Sequence, residues 1–219
     1  MRSEAALEFS RLYVIGAGGH GREVAWLAEN AWREVPEIVF LVDSPGFAGA
    51  PVDGHSVRLL QDEEFGQDSR FVVAIGDAAT RRRIASVLDD RGAVATTVVH
   101  PGVQRSARVE LGAGSIVFPG SIITTDVRIG RHTHINAACT VSHDARIGSF
   151  TSLSPGVHVA GNVHIGDDVF IGVGANIING TPDAPLVIGD GAVIAAGACV
   201  IGAVEPGSLV AGVPAVKKR

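Results

Sequence analysis

The segment VHIGDDVFIGVGANI, residues 163–177, carries an aliphatic residue at every sixth position. The same period extends back to Leu111 without a missed position. Neither an α-helix nor a hairpin sheet produces a strict period of six, whereas a solenoid of stacked coils does. The aliphatic positions are Leu111, Val117, Ile123, Ile129, Ile135, Val141, Ile147, Leu153, Val159, Ile165, Ile171 and Ile177.

Small residues accompany this period. Glycine follows the aliphatic residue at positions 112, 130, 148, 166 and 172, and a small or β-branched residue stands two places before every aliphatic one. The period slips once, because the next aliphatic position after Ile177 is Ile188. The five extra residues lie within NGTPDAPLV, and we interpret them as a loop extruded at a corner of the solenoid.

Residues 11–99 follow a different pattern, in which short apolar runs alternate with helical ones. RLYVIG, EIVFLVD, RFVVAIGD and VATTVVH are predicted strands, and GHGREVAWLAEN and ATRRRIASVLDDRG are predicted helices. This alternation predicts a small parallel sheet. The region of about 90 residues is too short for a full dinucleotide domain, which needs two such halves. We therefore predict a half-Rossmann-like α/β domain over 1–98 and an all-β parallel helix over 99–219.

Composition excludes several classes of protein. The formal charge of −5 argues against a general nucleic-acid partner. Cys139 and Cys199 show no metal-binding or disulfide spacing, which suits a reduced, cytoplasmic setting. The N-terminal stretch 1–16 has acidic residues and no long apolar run, so a signal peptide is not expected. The apolar stretch 191–204 is too short to cross a bilayer.

The repeats IGDDVF, IGVGAN and IGDGAV resemble the hexapeptide repeat of left-handed β-helix acyltransferases. The resemblance implies triangular coils of eighteen residues, with the aliphatic residue inward, glycine opening the turn, and three chains forming a homotrimer. On such a coil His143 falls at a corner, between Thr125 on one neighbouring coil and Gly161 on the other. A metal site of the γ-carbonic anhydrase kind would need histidines from two chains, and we predict no metal.

The pair His143–Asp144 can carry proton transfer, because an imidazole accepts a proton near neutral pH and a carboxylate can orient it. A surface histidine followed by a surface aspartate is the ordinary alternative. The surrounding INAACTVSHDARIG resembles the NeuD/PglD-type family of sugar acyltransferases over nearly the whole chain. That resemblance implies that His143 is the general base, that Asp144 orients it, and that Asn136 lies in the substrate site.

The resemblance also implies a site for acetyl-CoA along an edge of the coil. Many relatives carry a second histidine nine residues after the base, where this chain has Ser152, so that role weakens or passes to a backbone amide. The Gly161 N–H is the candidate oxyanion donor. Lys217 and Lys218 are candidates for CoA phosphates, with a solvated basic tail as the equal alternative. The implied acetyl-CoA residues are Ser152, Gly161, Val173, Ala196, Gly212, Pro214, Lys217 and Lys218.

The loop VIGAGGHG contains G-x-G-x-x-G between a strand and a helix, which suits a phosphate at the helix N-terminus. Asp43 suits a ribose hydroxyl, so the motif alone would suggest NAD. The half-sized domain argues against NAD, and the resemblance implies a nucleotide-sugar. The ordinary interpretation of Arg81–Arg83 is a solvated helix face. The implied acceptor residues in this domain are Gly16, Ala17, Gly18, Gly19, His20, Gly21, Asp43, Ser44, Gly76, Asp77 and Arg81.

These observations together predict an acetyl-CoA-dependent N-acetyltransferase of a nucleotide-linked amino sugar, in particular a 4-amino-deoxy sugar used in bacterial surface glycan or glycoprotein biosynthesis. Acetyl-CoA is its cosubstrate and the nucleotide-sugar its small-molecule partner. O-acetylation of a sugar such as sialic acid is the nearest alternative. A nucleotide-sugar-binding or purely structural β-helix protein without turnover is the alternative of another class.

Overall fold

The computed structural model describes residues 8–219. The chain divides into two compact units, the first ending at Pro101 and the second running from Gly102 to Arg219. Residues 1–7, which form part of the stretch judged unlike a signal peptide, lie outside the described residues. Among the residues that are described, no helix is both long and apolar enough to cross a membrane.

The first unit is built on a four-stranded parallel sheet. Its helices are α1 (Gly19–Ala31) and α2 (Ala78–Asp90), and short 3₁₀ turns span Pro45–Phe47 and Leu60–Asp62. The sheet order is β3-β2-β1-β4, with the two central strands almost fully buried. The strands of this unit are β1 (Arg11–Ile15), β2 (Glu37–Val42), β3 (Ser56–Leu59), β4 (Ser69–Val73) and the short β5 (Val98–Val99).

Two predictions for this unit need correction. The edge strand β3 was not predicted, because SVRL is short and mostly half-exposed, so it lacks the apolar run of the inner strands. The predicted fourth strand over VATTVVH shortens to an isolated bridge between Phe71 and Ala95 and the two residues of β5. The parallel half-sized sheet with its two helices is otherwise as predicted.

The second unit is a stack of coils, in which successive short strands belong to three different sheets in turn. Each sheet is parallel apart from the last strand, β23, which runs antiparallel to β22. One sheet holds β7 (Glu110–Leu111), β10 (Arg128–Ile129), β13 (Arg146–Ile147), β16 (Val163–Ile165) and β19 (Leu186–Ile188). Another holds β6 (Gln104–Arg105), β9 (Ile122–Ile123), β12 (Thr140–Val141), β15 (His158–Val159), β18 (Asn176–Ile177) and β21 (Cys199–Val200). The third includes β8 (Ile116–Val117), β11 (His134–Ile135), β14 (Ser152–Leu153), β17 (Phe170–Ile171), β20 (Val193–Ile194), β22 (Leu209–Ala211) and β23 (Val216–Lys217).

The aliphatic column is the core of this parallel β-helix. Ile129 pairs with Leu111 on one side and Ile147 on the other, which is the predicted spacing of eighteen residues. Ile135, Leu153 and Ile171 are completely buried. Burial of such side chains stabilises a fold by about 1.5–3 kcal/mol each. The strict period of six therefore comes from one inward side chain on each face of each coil.

Glycine in the repeat begins each turn and allows close stacking of the coils. A Cβ at Gly148 would lie 2.4 Å from the carbonyl carbon of Gly166 on the next coil. The left-handed residue of the corner comes two places later, at Phe150 with φ 60°. The glycine opens this turn as expected, since the Ala175 amide donates to the Gly172 carbonyl at 3.2 Å and the Ser115 amide donates to the Gly112 carbonyl at 3.3 Å. The same left-handed backbone recurs along the three corners, at Asp126, Asp144 and Asn162, at His132, Phe150 and Asp168, and at Ala138 with several glycines.

Candidate active site

The His143–Asp144 pair stands at the corner between β12 and β13. Asp144 Oδ2 lies 2.8 Å from His143 Nδ1, and each side chain is just over half exposed. A carboxylate only accepts hydrogen bonds, so this contact assigns the proton to Nδ1 and leaves Nε2 able to accept another. The Asp144 amide donates to the carbonyl of Thr125 at 3.3 Å, which fixes the left-handed backbone of the corner. The pair is therefore both oriented and accessible.

Gly161 lies against the His143 ring, as the eighteen-residue spacing predicts. A Cβ at this position would lie 2.5 Å from Cε1 and 2.6 Å from Nε2 of the imidazole, so only glycine leaves room for it. The Gly161 carbonyl accepts from the Gly180 amide at 3.0 Å, whereas its own N–H joins none of the described hydrogen bonds. This corner thus offers a base and an uncommitted amide donor side by side.

The other residues predicted for the β-helix lie along a different corner, the one that contains Ala138. Asn136 lies just before that corner, and its Nδ2 donates to the carbonyl of Leu153 at 2.7 Å. Val173 and Ala196 lie on successive coils, since the Gly197 amide donates to Val173 O and a Cβ at Gly172 would meet Ala196 N. A single chain therefore does not bring these residues to His143.

Ser152 and the C-terminal residues also lie away from the histidine corner. Ser152 is buried in β14, which belongs to a different sheet from β12 and β13. Lys217 Nζ donates to Glu205 Oε2, which leaves Lys218 as the lysine without a carboxylate partner in the described chain. Gly212 accepts from the Cys199 amide at 3.0 Å, and Pro214 follows a cis peptide bond two residues later.

A cavity of about 390 Å³ lies in the first unit above the carboxyl ends of β1 and β2. It brings together Gly16, Ala17, Gly18 and Asp43 from the glycine loop and the second strand. Gly21 packs so closely on this loop that a Cβ would lie 1.9 Å from the Gly16 carbonyl oxygen. The remaining lining is mostly apolar and comprises Ile15, Leu41, Val42, Phe47, Val52, Leu60, Ile75, Thr80 and Ile84.

Sequence reasoning missed Phe47, Val52 and Leu60. They belong to or adjoin irregular segments and the 3₁₀ turns, where no periodic pattern marks an inward face.

The start of α1 can receive a ligand group, because a Cβ built at Gly18 or Gly19 would have open space around it. Ser44 lies beside Asp43 as the N-cap residue of the turn Pro45–Phe47.

The lining of this cavity does not include three of the predicted acceptor residues, Arg81, Asp77 and His20. Arg81 is completely buried, and its Nη1 donates to the carbonyls of Ile75 and Gly76 at 2.6 and 3.0 Å, so its interpretation as part of a solvated helix face is wrong. Asp77 caps α2 by accepting from the Thr80 amide at 2.8 Å, which lowers its pKa. Burial lowers the pKa of His20, against the opposing effect of Glu23.

Within residues 8–219 no group of three or more His, Cys, Asp or Glu residues is placed to hold a metal ion.

Comparison with known proteins finds similar proteins for both units of the chain. The family model for the PglD N-terminal domain matches residues 11–88. A search of curated protein sequences gives no match. Among solved structures, WeeI from Acinetobacter baumannii is 33% identical and superposes with a TM-score of 0.89, covering 94% of this chain and 98% of its own.

Two further structures carry ligands. The acetyltransferase domain of PglB from Neisseria gonorrhoeae, in complex with acetyl coenzyme A, is 32% identical over 95% of this chain and 99% of that one, with a TM-score of 0.85. A histidine-to-asparagine mutant of perosamine N-acetyltransferase from Caulobacter crescentus, in complex with CoA and GDP-perosamine, is 31% identical over 98% and 100%, with a TM-score of 0.84. Identity above 30% across nearly the whole of both chains, on a left-handed β-helix with a PglD-type N-terminal domain, shows that this protein belongs to the NeuD/PglD family of sugar acyltransferases.

Proposed function

We propose that this acyltransferase is an acetyl-CoA-dependent N-acetyltransferase of a nucleotide-linked amino sugar. The observation that carries the proposal is the His143–Asp144 pair packed over Gly161, on a chain that matches sugar N-acetyltransferases from end to end. A 4-amino-deoxy sugar destined for a surface glycan or glycoprotein fits this assignment. The reaction belongs in the cytoplasm, where acetyl-CoA and nucleotide-sugars are made.

The corner supplies the groups that direct acyl transfer needs. His143 Nε2 removes a proton as the sugar amine attacks the thioester carbonyl, and Asp144 stabilises the imidazolium that forms. The Gly161 N–H donates to the oxyanion of the tetrahedral intermediate. The imidazolium then returns the proton to the departing thiolate, so that CoA leaves as the thiol and the amide product remains.

Cys139 supports direct transfer without an acyl-enzyme. This thiol is buried and lies 3.2 Å from the carbonyl oxygen of Ser154. Burial raises the pKa of the thiol to about 11, so the thiolate nucleophile is scarce at neutral pH. Cys139 is therefore a poor candidate for the nucleophile of a covalent intermediate.

The pocket of the first unit suits the nucleotide of the acceptor. Its glycine loop opens onto the N-terminus of α1, where amide groups and the helix dipole favour a phosphate. Asp43 at the end of β2 is exposed beside the same cavity, in a place that suits a ribose hydroxyl. The apolar remainder of the lining suits the face of a nucleobase.

A homotrimer accounts for the division of the remaining residues between corners. Asn136, Val173 and Ala196 serve the same reaction only if a neighbouring chain brings its Ala138 corner to the His143 corner of this one. Val173 is 56% exposed and Ile201 is 55% exposed, which is apolar surface that a second chain would cover.

One assay tests the proposal. Release of free thiol from acetyl-CoA is measured against UDP-, dTDP- and GDP-linked amino sugars, including GDP-perosamine, with sialic acid as the O-acetylation alternative. Turnover of an amino sugar, with the acetyl group on nitrogen by mass spectrometry and NMR, supports the proposal. Turnover of sialic acid alone identifies an O-acetyltransferase, and no turnover of any acceptor supports a binding or structural protein.

A further inference from the structure

The coil is lengthened by an insertion at the histidine corner. Ile165 pairs with Ile188, 23 residues further on, in place of the usual spacing of eighteen. The Gly180 amide donates to the Gly161 carbonyl and the Leu186 amide donates to the Asn162 carbonyl, both at 3.0 Å. The five extra residues, Thr181–Pro185, therefore leave and rejoin the coil directly beside the residue that packs against His143.

This five-residue loop is held in one shape by its own contacts. The Thr181 amide donates to the Ala184 carbonyl at 3.0 Å, and the Ala184 amide donates back to Thr181 O at 3.2 Å and to Thr181 Oγ1 at 3.1 Å. Pro182 and Pro185 restrict the backbone further by fixing φ. A loop closed in this way can present a fixed wall to a ligand, because little conformational entropy remains to be lost on binding.

The wall closes a groove of about 570 Å³ that also reaches the catalytic pair. Pro182 and Pro185 line it together with Asp144, whose Oδ2 lies 2.8 Å from His143 Nδ1. The rest of the lining comes from the outward side chains of β7, β10, β13 and β16 and from the adjoining corner, namely Ala107, Arg108, Glu110, Asp126, Arg128, Arg146, Asn162 and His164.

Two of the three arginines that line this groove are paired with carboxylates. Arg108 pairs with Asp126 at 2.9 Å, and Arg128 pairs with Glu110 at 3.4 Å. Arg146 makes no ion pair with any described residue, and its partners in strand register are Arg128 and His164. Burial, with a smaller contribution from Arg146, lowers the pKa of His164.

We propose that this groove holds the sugar ring of the acceptor, with Arg146 donating hydrogen bonds to its oxygen atoms and the loop Thr181–Pro185 selecting which sugars fit. The lining is charged and polar, which suits an oxygen-rich ring and disfavours an acyl chain. Its contact with Asp144 places the ring beside the base that must reach its amine. The inference rests on the proposed function and adds the site and the selecting element for the sugar.

Deletion of residues 181–185 is the sharpest test, because it restores the six-residue interval between Ile177 and the present Ile188. The coil then has its regular length, so we expect a folded protein by circular dichroism. We expect KM for acetyl-CoA to change less than twofold, whereas KM for the preferred amino sugar rises at least tenfold and poorer sugars of the panel gain on it.

Arg146→Gln tests the groove without altering the loop, and Arg83→Gln on the exposed face of α2 is its control. Loss of a charged hydrogen-bond donor raises KM for the amino sugar about tenfold or more and leaves KM for acetyl-CoA unchanged. The Arg83→Gln enzyme keeps both values. If the deletion variant does not fold, Arg146→Gln decides the question alone.

The outcomes separate the two proposals. A wild-type enzyme inactive on every amino sugar contradicts the proposed function, and the groove assignment with it. An active wild type whose variants keep their sugar KM and sugar preference contradicts the groove assignment alone. A rise in KM for acetyl-CoA without a change for the sugar reassigns the groove to the other substrate and overturns the proposal.

Discussion

At the scale of single residues, the imidazole of His143 occupies space that a side chain at position 161 would fill. The two positions are eighteen residues apart in sequence and lie on adjacent coils. Their contact could be predicted from the sequence because the period of six gives the vertical neighbours of every residue. The ion pairing in the groove could not be predicted from the sequence, because it depends on which exposed arginine lies close to a carboxylate. Arg146 forms no ion pair with any of the described residues.

His143→Ala should lower kcat by about 10²- to 10⁴-fold, the usual contribution of a general base. The fold should be retained because this side chain is 56% exposed at a corner. Asp144→Asn should lower kcat less, since the base remains and loses only its orienting anion. Steady-state kinetics check both variants, and near-wild-type turnover by His143→Ala would remove this histidine from the mechanism.

Gly161→Ala should lower kcat by about 10²-fold, because displacement of a catalytic group by about 1 Å has a cost of that order. The added Cβ would lie 2.5 Å from His143 Cε1, so the ring must move. Gly202→Ala is the matched control, because a Cβ there has open space around it. Equal activity of both variants would show that the position of the imidazole over Gly161 is not needed for catalysis.

At the scale of elements, the strands and corners differ in how well the sequence predicts them. The inward column of Ile, Leu and Val predicted the coils from Leu111 to Ile177 and their continuation at Ile188, because each face needs one apolar side chain and no other element has that period. The last coil departs from this period, since Ile194 pairs with Val210 at a spacing of sixteen residues. The left-handed corners were not predicted, since Asp144, Phe150 and Ala138 are not the glycines that this backbone favours. The strand β3 was also missed, because an edge strand needs no continuous apolar run.

The glycine loop and α1 form the element that should bind the acceptor nucleotide. Gly18→Asp places a carboxylate at the N-cap of α1, where a phosphate is expected, and open space around the virtual Cβ means that the fold tolerates it. We expect KM for the nucleotide-sugar to rise at least tenfold and KM for acetyl-CoA to stay nearly constant. Gly202→Ala again serves as the control.

Calorimetry on the full-length protein gives the complementary measurement for this loop. A binding signal from UDP, dTDP or GDP that Gly18→Asp abolishes supports the assignment. Tight binding of NADH with no response to any nucleoside diphosphate would overturn it and would return the loop to the dinucleotide role that its motif alone suggests.

At the scale of the whole molecule, the division of the site between two corners leads to a prediction about assembly. The protein should form a homotrimer in solution, because one chain keeps Asn136 and Val173 on a different edge from His143. Light scattering coupled to size-exclusion chromatography measures the mass directly. A stable monomer with full activity would show that one chain holds the complete site.

The break in the coil at Thr181–Pro185 has a consequence for the evolution and engineering of the molecule. After the 23-residue step from Ile165 to Ile188, the next inward pair, Ile171 and Ile194, has the same offset, so alignment is regained within one strand. Closing a longer loop costs only about 0.6 kcal/mol for each doubling of its length. A segment inserted at this edge therefore changes the structure only locally. New substrate preferences can be introduced there without redesign of the neighbouring coils.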